Sequence, residues 1–186
     1  MTLKVLFALA CILLAALGMQ RWFASFMAQA PADYAETDPR FDPRVHLGGE
    51  MISEGVIYGP MGRVASRFVA DMAGVWTNSG GVLREVFTFA DSETEMVREW
   101  TITDTGDNTF IATAPDIIGE AQGHYEGSAL QMKYRLRLSE SAGGHVLSVT
   151  DWLYLAPNGS IINKSEMRKF GIKVAELVAT IRPATP

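Results

Sequence analysis

Between Leu130 and Leu138 the chain alternates without a break. Leu130, Met132, Tyr134, Leu136 and Leu138 fall on one parity, and Gln131, Lys133, Arg135 and Arg137 fall on the other. Successive side chains of a strand point to opposite faces, so this pattern predicts a β-strand with one buried and one wet face. Shorter alternating segments predict further strands at Glu54–Tyr58, Arg63–Asp71, Leu83–Phe89, Glu95–Thr103, Thr109–Ala114, Ala121–Gly127, Val146–Leu155 and Ser160–Arg168. Glycine, asparagine and aspartate separate them, as turns require. The last apolar segment, Ile172–Ile181, contains Val174-Ala175-Glu176-Leu177-Val178, which suits a helix as well as a strand. About ten short strands with tight turns predict an all-β fold, an antiparallel calycin- or lipocalin-like barrel, because closure removes exposed edges. A two-sheet sandwich is the alternative.

The N-terminus follows a different pattern. Lys4 precedes the apolar run Val5–Met19, and Gln20 and Arg21 separate that run from Trp22-Phe23-Ala24-Ser25-Phe26-Met27. A run of 15 residues suits the core of a signal peptide and is short for a spanning helix, which needs roughly 17–25. Ala28-Gln29-Ala30 has the small-x-small form of a cleavage site, but Pro31 follows it. Trp22 and Phe23 beside Arg21 suit an interfacial belt instead. Residues 1–30 are therefore expected to be a signal peptide or a membrane anchor. Residues 31–50, with Pro31, Pro39 and Pro43, are expected to be a linker, and residues 51–183 the barrel. The expected location is the periplasm, anchored at the inner membrane or released.

Charge narrows the partners. The chain carries a net charge of −5, and the first thirty residues contribute Lys4 and Arg21 and no acid. The remainder thus holds 14 bases against 21 acids, a net of −7. An acidic domain without a basic cluster is repelled by phosphate backbones, so nucleic acid is not an expected partner. The single cysteine, Cys11, lies in the apolar run, so the barrel must be stable without a disulfide. His46, His124 and His145 lack metal-binding spacing. No nucleophile elbow, phosphate-binding glycine loop or HExxH motif is present, and no metal or cofactor is expected. His124 and Glu126 share a parity and are expected to form a solvated surface pair.

Strand register places polar residues on apolar faces. If Asp91-Ser92 is a two-residue hairpin loop, Leu83 faces Trp100, Phe87 faces Met96, and Glu85 faces Arg98 between them. An acid and a base would then oppose each other among Leu83, Phe87, Phe89, Met96, Trp100 and Ile102. A buried charge without a partner costs several kcal/mol, so pairing is the expected solution. The pair serves either as a structural ion pair, or as an anchor for the polar end of a ligand or a catalytic pair. In Val146–Leu155, Asp151 shares a parity with Leu147, Val149, Leu153 and Leu155. A turn through Ser141-Ala142-Gly143-Gly144 would set it opposite Tyr134. Burial would raise its pKa, as in general acids. At Pro157-Asn158-Gly159, a two-residue loop would turn Lys164 and Glu166 inward and a three-residue loop Asn163 and Ser165.

A set of short motifs then occurs in order: Leu83-x-Glu85-x-Phe87, Arg98-x-Trp100, Asp116-Ile117-Ile118-Gly119-x-Ala121-x-Gly123, Gly127-x-Ala129, Tyr134, Asp151-Trp152-Leu153-Tyr154 and Lys169-Phe170-Gly171. In order and spacing these resemble the proteobacterial family called domain of unknown function 3833, over roughly Phe41 to Pro183. The family implies no activity. It implies lipoprotein-like members, from which Cys11 departs because Ala8-Leu9-Ala10 before it is a poor lipobox. It also implies genetic neighbours that modify fatty acids, an association and not a mechanism.

The expected function is a membrane-associated periplasmic barrel that binds a fatty acyl or other lipid-like ligand. Glu85, Arg98, Trp100, Tyr134 and Asp151 are its expected ligand-binding residues. Arg98 would meet a carboxylate head and Glu85 would hold Arg98. The alternatives are an enzyme acting on a lipid-like substrate through its inward carboxylates, and an accessory protein with a filled core.

Overall fold

In a computed structural model, which describes residues 2–23, 25–90 and 95–184, the alternating segments form ten strands: β1 (Gly49–Tyr58), β2 (Val64–Thr77), β3 (Gly80–Phe89), β4 (Met96–Gly106), β5 (Thr109–Thr113), β6 (Ala121–Glu126), β7 (Ala129–Arg137), β8 (Val146–Leu155), β9 (Ile161–Lys169) and β10 (Ile172–Pro183). Each is antiparallel to its neighbours in sequence, and β10 returns to pair with β1, closing the barrel. The expected fold class is what forms. The ambiguous last segment is a strand because β9 and β1 supply ladder partners on both of its sides.

Leu83 pairs with Trp100, Glu85 with Arg98 and Phe87 with Met96, as the hairpin reading required. The Asp91-Ser92 loop invoked for it lies outside the described residues. Between β7 and β8 the register differs from expectation by two: Asp151 faces Met132 and Tyr134 faces Val149. The cause is the connection. Glu140–Ala142 wind into a 3₁₀ turn, Gly143 closes it at φ 90°, and the Leu138 N–H donates to the His145 carbonyl at 2.9 Å. An even shift keeps every side chain on its face. The next loop spans three residues, since the Ala156 N–H donates to the Ser160 carbonyl at 2.8 Å. Asn163 and Ser165 therefore point inward with Asp151.

The two ends of the barrel differ. At one end, β2–β3, β4–β5, β6–β7 and β8–β9 turn, and the segment Phe41–Leu47 lies over this end, including a short helix at Pro43–His46. Trp76 Nε1 donates to the Leu47 carbonyl at 2.8 Å, and the Phe41 N–H donates to the Gly127 carbonyl at 2.7 Å. Gly127 sits at φ 51°, and a Cβ there would lie 1.6 Å from the Tyr34 carbonyl oxygen, so only glycine admits this approach. Inward residues near this end, among them Leu83, Trp100, Ile102, Phe110, Leu153, Leu155 and Ile161, are buried. At the other end, Phe68, Leu136, Leu147 and Val149 are also buried, while inward residues Ile57, Phe87, Phe89, Met132, Tyr134, Met167 and Leu177 pack on the core yet keep part of their surface accessible.

The N-terminal helix precedes the barrel (Thr2–Phe23), with exposed Leu3, Phe7 and Leu13 among its side chains. Among the described residues no helix is long and apolar enough to cross a membrane. The segment between helix and barrel runs along the outer wall. Tyr34 packs against Trp152 and Tyr154, with ring centroids 5.3 and 5.7 Å apart. Gln29 Oε1 accepts from the hydroxyls of Tyr34 and, at 2.8 Å, Tyr154. Thr37 Oγ1 lies 2.8 Å from Ser128 Oγ.

Candidate functional site

β3 delivers Glu85 to the barrel interior, β4 delivers Arg98 and Trp100, β7 Tyr134, β8 Asp151, and β9 Asn163 and Ser165. All point inward because they share the parity of the core residues on their strands. The structure gathers all five expected ligand-binding residues into one electrostatically linked group.

It also adds a residue that the pattern of strands did not offer. Asp116, in the loop between β5 and β6, reaches the guanidinium of Arg98. Arg98 Nε donates to Asp116 Oδ2 at 2.9 Å and to Oδ1 at 3.2 Å, and Nη2 donates to Oδ2 at 2.7 Å. Glu85, the expected partner, lies farther off, with Oε2 3.8 Å from Arg98 Nη1. The opposed pair exists, but Asp116 takes the paired edge of the guanidinium. Backbone bonds hold that loop against β7: the Ile118 N–H donates to the Arg135 carbonyl at 2.9 Å and the Arg137 N–H to the Asp116 carbonyl at 2.8 Å.

The rest of the network is aromatic and hydroxylic. Trp100 Nε1 donates to Glu85 Oε2 at 3.2 Å, and the Trp100 ring meets Tyr134 edge-on at 5.4 Å. The Arg98 guanidinium carbon lies 5.8 Å from the centroids of both Phe87 and Trp100, within range of a cation–π attraction. Across the lumen, Asp151 Oδ1 accepts from Ser165 Oγ at 2.6 Å and from Asn163 Nδ2 at 2.5 Å. Tyr134, expected opposite Asp151, instead faces Val149, and the two groups are linked electrostatically across the sheet rather than directly paired.

Burial sets the protonation states. Desolvation pushes Glu85 up to about 7, against the opposing pull of Arg98 and of the Trp100 N–H. Desolvation also raises Asp151, countered by its bonds from Ser165 and Asn163, and raises Tyr134. Arg98 stays charged, because the carboxylates around it outweigh its own desolvation. The side chains of Glu85 and Arg98 nevertheless keep 13% and 14% of their surface accessible, so the network is not wholly sealed from solvent. Formally it holds one cation and three carboxyl groups. His124 and Glu126 lie apart from it on the surface, 3.8 Å from each other.

The sequence model of the family described as "Protein of unknown function (DUF3833)" matches residues 21–183, which include every residue of this network. The chain belongs to that family. No curated protein matches it. Among solved structures it is similar to Rv2717c from M. tuberculosis, at 12% identity and a TM-score of 0.51, over 80% of this chain and 99% of that one. At that identity the likeness concerns the barrel fold alone.

Proposed function

We propose that this member of the unknown-function family is a binding barrel. It takes a lipid-like molecule through its partly open end and meets the molecule's polar head with Glu85, Arg98, Trp100, Tyr134, Asp151 and Asp116. The observation that carries this reading is a partly accessible polar network on an inward face otherwise made of Phe87, Phe89, Met132 and Met167. An apolar wall with a few converging polar groups is the usual form of a small-molecule site. The N-terminal segment would hold the barrel at the periplasmic face of the inner membrane, or be removed to release it there.

Charge refines the head group. The guanidinium already faces Asp116 and Glu85, and Asp151 lies across the lumen. A free fatty-acid carboxylate would enter beside three carboxyl groups. An acyl chain carried as an ester, amide or alcohol would not meet that repulsion, and its carbonyl or hydroxyl would find donors in Arg98 and Tyr134.

Native mass spectrometry of the purified full chain, before and after exposure to monoacylglycerol, tests the reading. A stoichiometric adduct is expected, and Met132→Trp, which fills the space beside Asp151, should abolish it without unfolding the barrel. No adduct, or an adduct indifferent to Met132→Trp, would leave the packed accessory protein as the better account.

A half-protonated Glu85 near neutrality favours a second reading, since a group with that pKa can both give and take a proton. In that case the full chain should cleave an acyl ester slowly, with a pH profile that vanishes in Glu85→Gln. Turnover with an unaltered profile would remove Glu85 from the chemistry.

A further inference from the structure

The accessible end of the barrel carries large apolar side chains on two hairpin tips. Phe170, between β9 and β10, is 93% exposed, Ile172 beside it 70%, and Met61, between β1 and β2, 85%. β1 pairs with both β2 and β10, so the two tips are neighbours on one sector of the rim. Val64 extends the same exposed surface.

Nothing in the fold calls for a phenylalanine at 170. Lys169 pairs with Ile172, so Phe170-Gly171 is a two-residue hairpin loop. Both residues have positive φ, 52° and 78°, the geometry that favours asparagine or glycine at the first position. A bulky residue there is conformationally unfavourable, and at 93% exposure it recovers little by burial against its own chain.

The flanking charges have one sign. From Tyr58 to Ala70 the chain holds Arg63 and Arg67 and no acid, and from Met167 to Ala175 it holds Arg168, Lys169 and Lys173 and no acid. In a chain with 21 acids and 16 bases these are basic islands. Glu166 and Glu176 engage Arg168 and Lys173 from the wall below, at 2.6 and 2.8 Å. Lys169 lies 3.0 Å from His145 Nδ1 and 5.8 Å from the Phe170 ring centroid. Elsewhere on the same rim Asp116, Glu120, Glu140 and Glu95 are acidic and Arg137 is a lone base at the end of β7, so the basic and apolar sector is a local one.

We infer that this sector, with Phe170, Met61 and Ile172 as inserting side chains and Arg63, Lys169 and Lys173 around them, docks on the surface of an anionic lipid bilayer. Exposed aromatic and aliphatic side chains beside bases are the composition of surfaces that seat at the headgroup and acyl boundary, and the bases meet the surface charge of anionic lipid. The acidic remainder of the rim is repelled by the same surface, so the barrel sits tilted, its β1–β2 and β9–β10 edge down. Ile57, Met167 and Leu177 continue the apolar surface into the barrel. A lipid could then pass between bilayer and lumen without crossing water. That last step rests on the binding reading above, whereas the docking does not.

The test uses the full chain with Cys11→Ser, reconstituted in phosphatidylcholine vesicles with and without phosphatidylglycerol. A single cysteine is introduced as Phe170→Cys, as Met61→Cys, or at the opposite end as Asn158→Cys, and carries an environment-sensitive fluorophore. Quenching by headgroup-spin-labelled lipid should be severalfold stronger at 170 and 61 than at 158. The difference should shrink without phosphatidylglycerol and in Arg63→Glu/Lys169→Glu. The label at 61 should also lose its quenching in Phe170→Asn, a change the turn accommodates. Water-like emission at both tips, or equal quenching at all three positions, would overturn the docking. So would burial of the labels that appears without vesicles and rises with protein concentration, because the occupant would then be a second copy of the chain. An absent lipid adduct in mass spectrometry, with tip quenching intact, would remove the ligand and leave the docking.

Discussion

Leu130 and Met132 lie two residues apart on β7, face the same way, and belong to different halves of the barrel. Leu130 is 1% exposed, and Met132 keeps part of its surface accessible. The same alternation of apolar and polar residues therefore runs from a fully buried position through a partly accessible stretch at Met132 and Tyr134 to Leu136, which is buried again. Alternation specifies which way a side chain faces. How deeply it is buried depends on what lies around it: Phe41, Leu47 and Trp76 cover one end, and Ile117 covers Leu136 at the other, with Met132 and Tyr134 between them.

The sharpest way to break this comparison is to truncate both residues. Leu130→Ala should lower the unfolding free energy by about 3 kcal/mol, the usual scale for a cavity in a rigid core. Met132→Ala should lower it by about 1 kcal/mol or less, because its site is already partly accessible to solvent. Urea denaturation of the two variants checks this, and equal losses would mean that the halves are equally packed.

A smaller effect comes from the polar network. Glu85 ionises near 7 in the fold and near 4.5 when unfolded. Below 4.5 both states carry the proton and Glu85 adds no pH dependence. Between 4.5 and 7 the unfolded chain releases the proton first, so stability falls as pH rises, and above 7 the loss is complete. Glu85→Gln removes that slope. Relative to the parent protein it should gain up to about 3 kcal/mol between pH 4 and pH 8, the energy of moving the Glu85 midpoint from 4.5 to about 7. A difference between variant and parent that stays constant with pH would place Glu85 in water.

Smaller again is the effect of Asp116→Asn. It removes a like charge from Glu85 and releases the Arg98 guanidinium toward it, so the Glu85 midpoint should fall below 7. Carbon-detected NMR titration reads this directly. An unmoved midpoint would mean that the Asp116–Arg98 contact does not persist in solution.

The pattern of residues made the ten strands legible, and it made the Glu85–Arg98 opposition legible because a short hairpin ties register to residue number. It did not reveal Asp116. That carboxylate is placed by a loop whose path depends on backbone bonds to β7, from Ile118 to Arg135 and from Arg137 to Asp116, and no local pattern encodes such a contact. The register of β7 with β8 departs by two from the one the glycine pair suggests, because Ser139 to Gly144 wind into a longer turn. Its parity was still correct, which is why Asp151 appears on the right face with a different direct partner. One signal went unread. β8 is apolar on both faces, with Leu147, Val149, Leu153 and Leu155 inward and Trp152 and Tyr154 outward. A strand of that kind must be covered on both sides, and the cover outside is the proline-containing stretch around Tyr34.

That cover has a consequence for how the protein moves. A loose stretch of polypeptide between a helix and a barrel behaves as a flexible leash, and the barrel would tumble at its end. Here the stretch is fastened at Gln29, Tyr34, Thr37 and Phe41 in turn. From Gln29 onward little slack remains, so this stretch turns with the barrel as part of its wall instead of swinging beside it.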